Sequence, residues 1–354
     1  MISYEDVTTH GRRSVLPPDL QKAVARLGEG PAELLDEKAL SAFVLGLHQL
    51  PVDAYPQAAK EIYLKGRLYH QPGRKRPHFL SLVWPTKTES NLLRQHSLLK
   101  FFYLFHGSGY LREAALKAWN GPLESPFLFA CVAYRLNDWV GEVRQTAFAC
   151  AERTFPQTSP EIVAKAAFVL LARVSDWQRW SEEAAILEET FSRPDVMERL
   201  ASLVVTEATG PVGKVLTFAL RHEEMDRYLL RISQKAIQPS VRALALRTLI
   251  EGRTLWPEGL RKEWIDKSMG RFKLAVAYRE RPIVRPASLD SLIAQGAADQ
   301  AAMVRRIAAD GLVRYRASLN EVDQLTQKFA VDRSASVQER ANFILKEQEG
   351  KVTR

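Results

Sequence analysis

The chain has 354 residues, 46% hydrophobic and 26% charged, with a net charge of +9. That balance excludes a disordered or fibrous chain, and no window reaches the roughly 18 uninterrupted apolar residues of a membrane helix. Two cysteines, Cys131 and Cys150, can form neither a disulfide framework nor a four-thiolate zinc site.

The N-terminal stretch MISYEDVTTHGRR lacks the apolar core of a secretory signal, so a cytoplasmic protein with reduced thiols is expected. Three segments follow that read as helices: PPDLQKAVARLGEG, LLDEKALSAFVLGLHQL and DAYPQAAKEIYLKGRLY. A basic, proline-containing run, KGRLYHQPGRKRPH, closes this region between Lys65 and His78. Residues 1–86 are therefore assigned to a helical N-terminal cap or to degenerate repeats.

Beyond residue 86 one pattern recurs. Val143, Ala147 and Ala151 stand at intervals of four, as do Leu111, Ala115 and Trp119; Val241, Ala245 and Leu249; Val304, Ala308 and Leu312; and Val337, Ala341 and Leu345. Residues at i, i+4 and i+8 share one face of a helix. The first members lie 32, 98, 63 and 33 residues apart, so a period of about 32 leaves room for hidden copies in the long gaps. Val212, Leu216 and Leu220 fit one. Ser181 and Ala185 fit another, and a third is expected near Phe272 or Leu274.

Each such helix has another ahead of it. SPEIVAKAAFVLLAR opens with Ser159 as N-cap and Pro160 in the first turn. SLNEVDQLTQKFA places Ser318 and Glu321 at capping-box spacing. PLESPFLFACVAYRL and ASLDSLIAQGA precede two further copies. The unit is an antiparallel helix pair of about 32 residues, and strand signals are nearly absent because no Asn-Gly or Asp-Gly turn separates alternating apolar runs.

Asp138 precedes Val143 by five residues and Arg144 by six, and Asp299 stands the same way before Val304 and Arg305. Asp332 keeps the spacing to Val337, but Gln338 replaces the arginine. Arg112 and Arg242 keep the arginine, while His106 and Ala236 occupy the aspartate position. This pattern resembles the HEAT repeat, whose second helix begins with Asp, then Val-Arg, then Ala. The resemblance covers about residues 88–348. It implies an all-α, right-handed α-solenoid with a concave face, built of seven to eight helix pairs over residues 87–350. It also implies that Asp138, Arg144, Arg242, Asp299, Arg305 and Asp332 form a structural hydrogen-bonded ladder.

Catalytic signatures are missing: there is no GxxxxGK[ST], GxSxG or HExxH. Gly107-Ser-Gly109 reads as a helix–helix turn, and His222-Glu223 is followed by Asp226 at the position where zinc would need histidine. No metal or cofactor is expected, and Cys131 and Cys150 read as small core residues. Tryptophans follow aspartates at Asp138-Trp139 and Asp176-Trp177, with Trp180 one turn on. A group of alkylpurine DNA glycosylases built from HEAT-like repeats uses tryptophans and a carboxylate, and Asp176 with Trp177 and Trp180 imitates that arrangement most closely. No catalytic assignment is carried over.

Residues 182–198 hold six acids against one arginine, and residues 261–285 hold eight basic residues against three acids. Arg247, Arg253, Arg271, Lys273, Arg279, Arg281, Arg285, Arg306, Arg314 and Arg316 would give phosphate contacts if they shared one face. The expected function is a non-enzymatic scaffold that binds another protein or peptide on the concave face. The alternative is a nucleic-acid binder, with a DNA glycosylase as the enzymatic variant.

Overall fold

The computed structural model describes residues 13–29, 35–69, 87–173 and 183–352, and among these the chain is mostly helical with one two-stranded sheet. No helix among the described residues is long and apolar enough to cross a membrane. Two compact units divide between Phe191 and Ser192.

The first unit begins with α1 (Pro18–Glu29), α2 (Glu37–His48) and α3 (Tyr55–Lys65). It continues through α4 (Lys87–Gln95), α5 (Leu99–Tyr103), α6 (Gly109–Lys117), α7 (Pro126–Arg135), α8 (Gly141–Thr154), α9 (Pro160–Leu170) and α10 (Glu183–Ser192). α1 packs on α2 and α3, α6 on α5 and α8, and α7 on α8 and α9. Three of these helix starts are capped by a side chain: Asp36 accepts from the Ala39 N–H, Ser125 from Leu128 and Ser159 from Ile162. Proline occupies the first turn of α7 and α9, where its missing N–H removes no helical bond.

The second unit holds α11 (Pro194–Thr206), α12 (Val212–Ala219), α13 (Leu229–Lys235) and α14 (Pro239–Glu251). After a β-hairpin it resumes with α15 (Leu289–Ala297), α16 (Ala302–Tyr315), α17 (Val322–Ala330) and α18 (Ala335–Val352). α14 lies against both α12 and α16, and α16 also touches α18. The partner helices α11 and α13 touch each other, as do α15 and α17, and each also packs on the helix that follows it. Gly296 of α15 marks the closest approach: a Cβ there would fall 2.5 Å from Leu246 Cδ2 and 2.8 Å from Ala308 Cβ.

The four-residue spacing marks the core. Leu111, Ala115 and Trp119; Val143, Ala147 and Ala151; Val212, Leu216 and Leu220; Val241, Ala245 and Leu249; and Val304, Ala308 and Leu312 are all buried. Full burial of each valine or leucine side chain contributes about 1.5–3 kcal/mol. In the last copy Val337 and Ala341 are buried, but Ile344 rather than Leu345 faces inward.

Two expectations fail. The residues around Phe272 and Leu274 are not a decayed helix copy. They belong to an antiparallel hairpin, β1 (Arg253–Asp266) paired with β2 (Arg271–Pro282). This thirty-residue insertion lies between α14 and α15. Without it, the interval of 63 from Val241 to Val304 becomes 33, so these are successive copies with none hidden between them. Nor do Ser318 and Glu321 form a capping box. Ser318 sits in a 3₁₀ turn, and α17 starts at Val322 without a side-chain cap of its own. Asp290 Oδ1, from α15, instead accepts the Asn320 and Glu321 N–H groups at 2.8 and 3.0 Å.

Candidate functional site

The hairpin is anchored at its base by side-chain and backbone bonds. α14 ends at Gly252, whose φ of +68° is left-handed and favours glycine. A Cβ there would also lie 2.8 Å from Arg285 Nη2, and Arg285 needs that position because it donates to the last carbonyls of α14, Leu249 and Ile250, both at 3.0 Å. The Ile283 N–H donates to the Gly252 carbonyl at 2.8 Å. Arg281 grips Asp226 with two bonds of 2.6 and 2.7 Å and also donates to the Leu220 and His222 carbonyls. Thr254 is buried beside this clamp.

Beyond the clamp the strands run free for about 40 Å at roughly 3.3 Å per residue. Cross-strand partners share a face, so one face carries Leu255, Pro257, Leu260, Lys262 and Trp264 on β1 with Tyr278, Val276, Leu274 and Phe272 on β2. Leu260 is 66% exposed, Leu274 60% and Tyr278 64%. Trp264 meets Phe272 edge-on at 5.6 Å, and the Lys262 ammonium lies 4.6 Å from the Phe272 ring centre. The opposite face is laced with ion pairs: Glu263 binds Arg261 at 2.9 Å and Lys273 at 3.2 Å. Arg279 reaches Glu258 at 2.6 Å. The loop Lys267–Gly270 turns on Asp266, whose Oδ1 accepts the Ser268 and Met269 N–H groups, and on Gly270 at φ +64°.

The ten basic candidates do not behave alike. Arg281 and Arg285 anchor the arm, as above. Arg253 pairs with Glu280 and Glu251, Arg314 with Glu251, and Arg316 with Glu347. Lys273 and Arg279 sit in the ion pairs of the arm. Arg271 is exposed at the loop, and Arg247 and Arg306 are exposed on α14 and α16. Arg247 and Arg314 line a shallow cleft of about 210 Å³ whose wall also carries Glu251 and Asp310.

The ladder residues fall into rungs that join one copy to the next. Arg112 donates to both oxygens of Asp138 at 3.0 and 2.8 Å, Arg242 to Asp299 at 2.7 and 2.9 Å, and Arg305 to Asp332 at 2.6 and 2.9 Å. Each arginine also donates to the carbonyl six residues before it: His106, Ala236 and Asp299 respectively. Arg144 does the same to Asp138 and reaches Glu183 at 3.3 Å. Each aspartate uses Oδ1 to accept the N–H two residues on, from Val140, Ala301 or Ser334. At the start of the first run, His106 Nδ1 accepts the Ser108 N–H at 2.9 Å, as an aspartate oxygen would. At the end of the second, Gln338 donates to the Asp332 carbonyl at 2.6 Å.

The Asp138 rung is the deepest. A second guanidinium, Arg135, binds Asp138 at 2.6 Å and the Tyr55 hydroxyl at 2.8 Å. Burial works to raise the Asp138 carboxyl, but the bonds from Arg112 and the charge of Arg135 hold it below the usual range. Burial pushes the Tyr55 hydroxyl up to about 12. Burial, with the charge of Arg112, lowers His106 to about 4. Trp139 stands 69% exposed over this rung, 5.6 Å from the Arg112 guanidinium. With Tyr63, Phe105 and Lys60 it lines a cleft of about 350 Å³. Asp138 itself is fully buried and committed to two arginines, so it has no oxygen to offer a substrate.

Asp176, Trp177 and Trp180 lie outside the described residues, as do Ser181 and most of the basic run between Lys65 and His78. Cys131 and Cys150 are buried, and burial raises both thiols, Cys150 to about 11. The sequence reading missed Leu260, Trp264, Leu274 and Tyr278 as a surface. The run FKLAVAYR alternates large apolar residues with lysine, alanine or arginine, which is the signal of a strand with one contact face. Comparison with protein-family models, curated proteins and solved structures finds no match to this chain.

Proposed function

We propose that this chain is a non-enzymatic interaction scaffold, with helix pairs stacked in each unit as a HEAT-like α-solenoid. In this reading the inserted hairpin, rather than a concave helical face, is the element that grips a protein partner. The observation that carries it is the apolar face of the arm, with Leu260, Trp264, Phe272, Leu274 and Tyr278 in water beyond the clamped base. An isolated two-stranded hairpin is marginal in water, and a long apolar strand pair left uncovered invites aggregation. Such a face is retained where a partner covers it. The neighbouring cations favour protein over nucleic acid, because Arg253, Lys273, Arg279, Arg281, Arg314 and Arg316 are engaged by carboxylates. Phosphate binding depends on cations held free along one surface.

A photoreactive phenylalanine analogue at Leu274, with a control at Arg261 on the opposite face, tests this in living cells. Discrete protein adducts from position 274 and none from 261 are expected. Adducts to nucleic acid alone, or equal labelling from both faces, would overturn the reading.

A further inference from the structure

We infer that the partner covering the hairpin is a second copy of this chain, the two arms packing antiparallel, face to face, about a two-fold axis. This rests on the reading of the arm as a protein-docking element. Three observations lead to it. The first is area. The exposed fractions of Leu255, Leu260, Trp264, Phe272, Leu274, Val276 and Tyr278 leave roughly 700 Å² of exposed surface on one face, most of it apolar. That exceeds the ~300–600 Å² of the largest patch on an ordinary monomer and approaches the ~800 Å² that one partner gives to a standard interface. Two arms therefore suffice without further contacts.

The second observation is symmetry. The pair Leu260–Val276 lies midway along the face, with Tyr278 and Pro257 one step toward the base and Leu274 and Lys262 one step toward the loop. A two-fold axis through the middle pair sets Tyr278 of each copy over Leu274 of the other and leaves no charge at the centre, as an isologous interface requires.

The third is charge. At the base of this face Glu280 is paired with Arg253 at 2.7 Å, whereas Lys262 stands in the outer half, with Lys267 and Arg271 exposed at the loop. Antiparallel packing sets the cationic outer half of each arm against the charge-balanced base of the other at both ends. Parallel packing would bring Lys262 and the loop cations of the two copies together. A lipid surface would match the loop cations, but it leaves Tyr278 and Leu255, at the far end of the same face, unexplained.

Sedimentation velocity on the full chain, up to about 100 μM, is compared with Leu260→Glu/Leu274→Glu and with a variant in which residues 256–279 are replaced by a two-residue turn, keeping Thr254 and Arg281 at the clamp. The wild type is expected to be a dimer. Both variants are expected to be monomeric with the helical dichroism unchanged, the double substitution weakening association by about 100-fold or more. A wild-type monomer throughout the range overturns the inference, as does a dimer that survives both variants. A monomer that co-sediments with vesicles of anionic phospholipid also overturns it and assigns the face to a lipid surface. If the wild type is monomeric while position 274 still crosslinks to a different protein, the self-pairing falls and the docking reading stands.

Discussion

Two rungs of the ladder, Arg112–Asp138 and Arg305–Asp332, have the same bidentate geometry but sit at different depths. The first pair is 3% and 0% exposed at the side chains, the second 12% and 9%. The first has also recruited Arg135 and Tyr55 around the same carboxylate. One motif therefore serves two physical roles. Near the surface it is an oriented hydrogen bond that sets the register between helix pairs. At depth it is a charge cluster that must stay complete, because an ion left alone in the interior is far more costly than the pair is favourable.

The largest expected effect breaks the deep rung. Asp138→Ala leaves Arg112 and Arg135 without their shared carboxylate and should destabilise the first unit by about 3–5 kcal/mol. Urea denaturation measures this, and a loss under about 1 kcal/mol would place the rung with the shallow ones. The next effect concerns acid. His106 is lowered to about 4 in the folded chain, below the ordinary value near 6.5. The unfolded chain therefore takes up the proton first as pH falls, and stability declines between about pH 6.5 and 4, by up to about 3 kcal/mol. His106→Asn keeps an acceptor for the Ser108 N–H and should flatten that slope, as read by melts across the window. The Asp138 contribution behaves differently. Its carboxyl is held low, so its stabilisation is present above the unfolded value near 3.9 and is lost only as pH falls below it.

A third test compares the seams. Ala147 and Ala308 are both fully buried middle residues, and leucine at either should overpack the seam and destabilise by about 1–3 kcal/mol. Unchanged denaturant midpoints would mean that neither alanine sets the spacing between neighbouring helices. The smallest of the rung effects should come from Asp332→Ala, about 1 kcal/mol, since water can reach the freed Arg305. Equal losses for Asp138→Ala and Asp332→Ala would dissolve the contrast drawn above.

Much of the helical core is legible in the sequence because the side chains that pack are also the ones that recur. Val143, Ala147 and Ala151 show their shared face through spacing alone. The pairing within the ladder is harder to read. Asp299 and Arg305 stand only six residues apart, yet Asp299 binds Arg242, 57 residues earlier, and Arg305 passes its fork to Asp332. The hairpin is hidden for an arithmetical reason: its thirty residues come close to one repeat period, so an insertion imitates a missing copy. Its turn compounds this, because Lys-Ser-Met-Gly carries its glycine at the fourth loop position rather than in an Asn-Gly or Asp-Gly pair. The cap of α17 is invisible for a third reason. Asp290 supplies it from 30 residues upstream, and local patterns record only local bonds.

The chemistry at the ladder's ends bears on how such an array can grow. His106 accepts the N–H that an aspartate would but brings no negative charge, and Gln338 reaches the carbonyl that an arginine would but brings no positive one. The first run thus begins, and the second ends, on a neutral residue. A duplicated segment spanning Asp299 to Val331, spliced in before Asp332, would arrive with one acid for the rung behind it and one fork for the rung ahead. Lengthening by whole cassettes of this kind preserves neutrality at every junction. An added cassette lacking either residue would leave one ion of a rung without its partner.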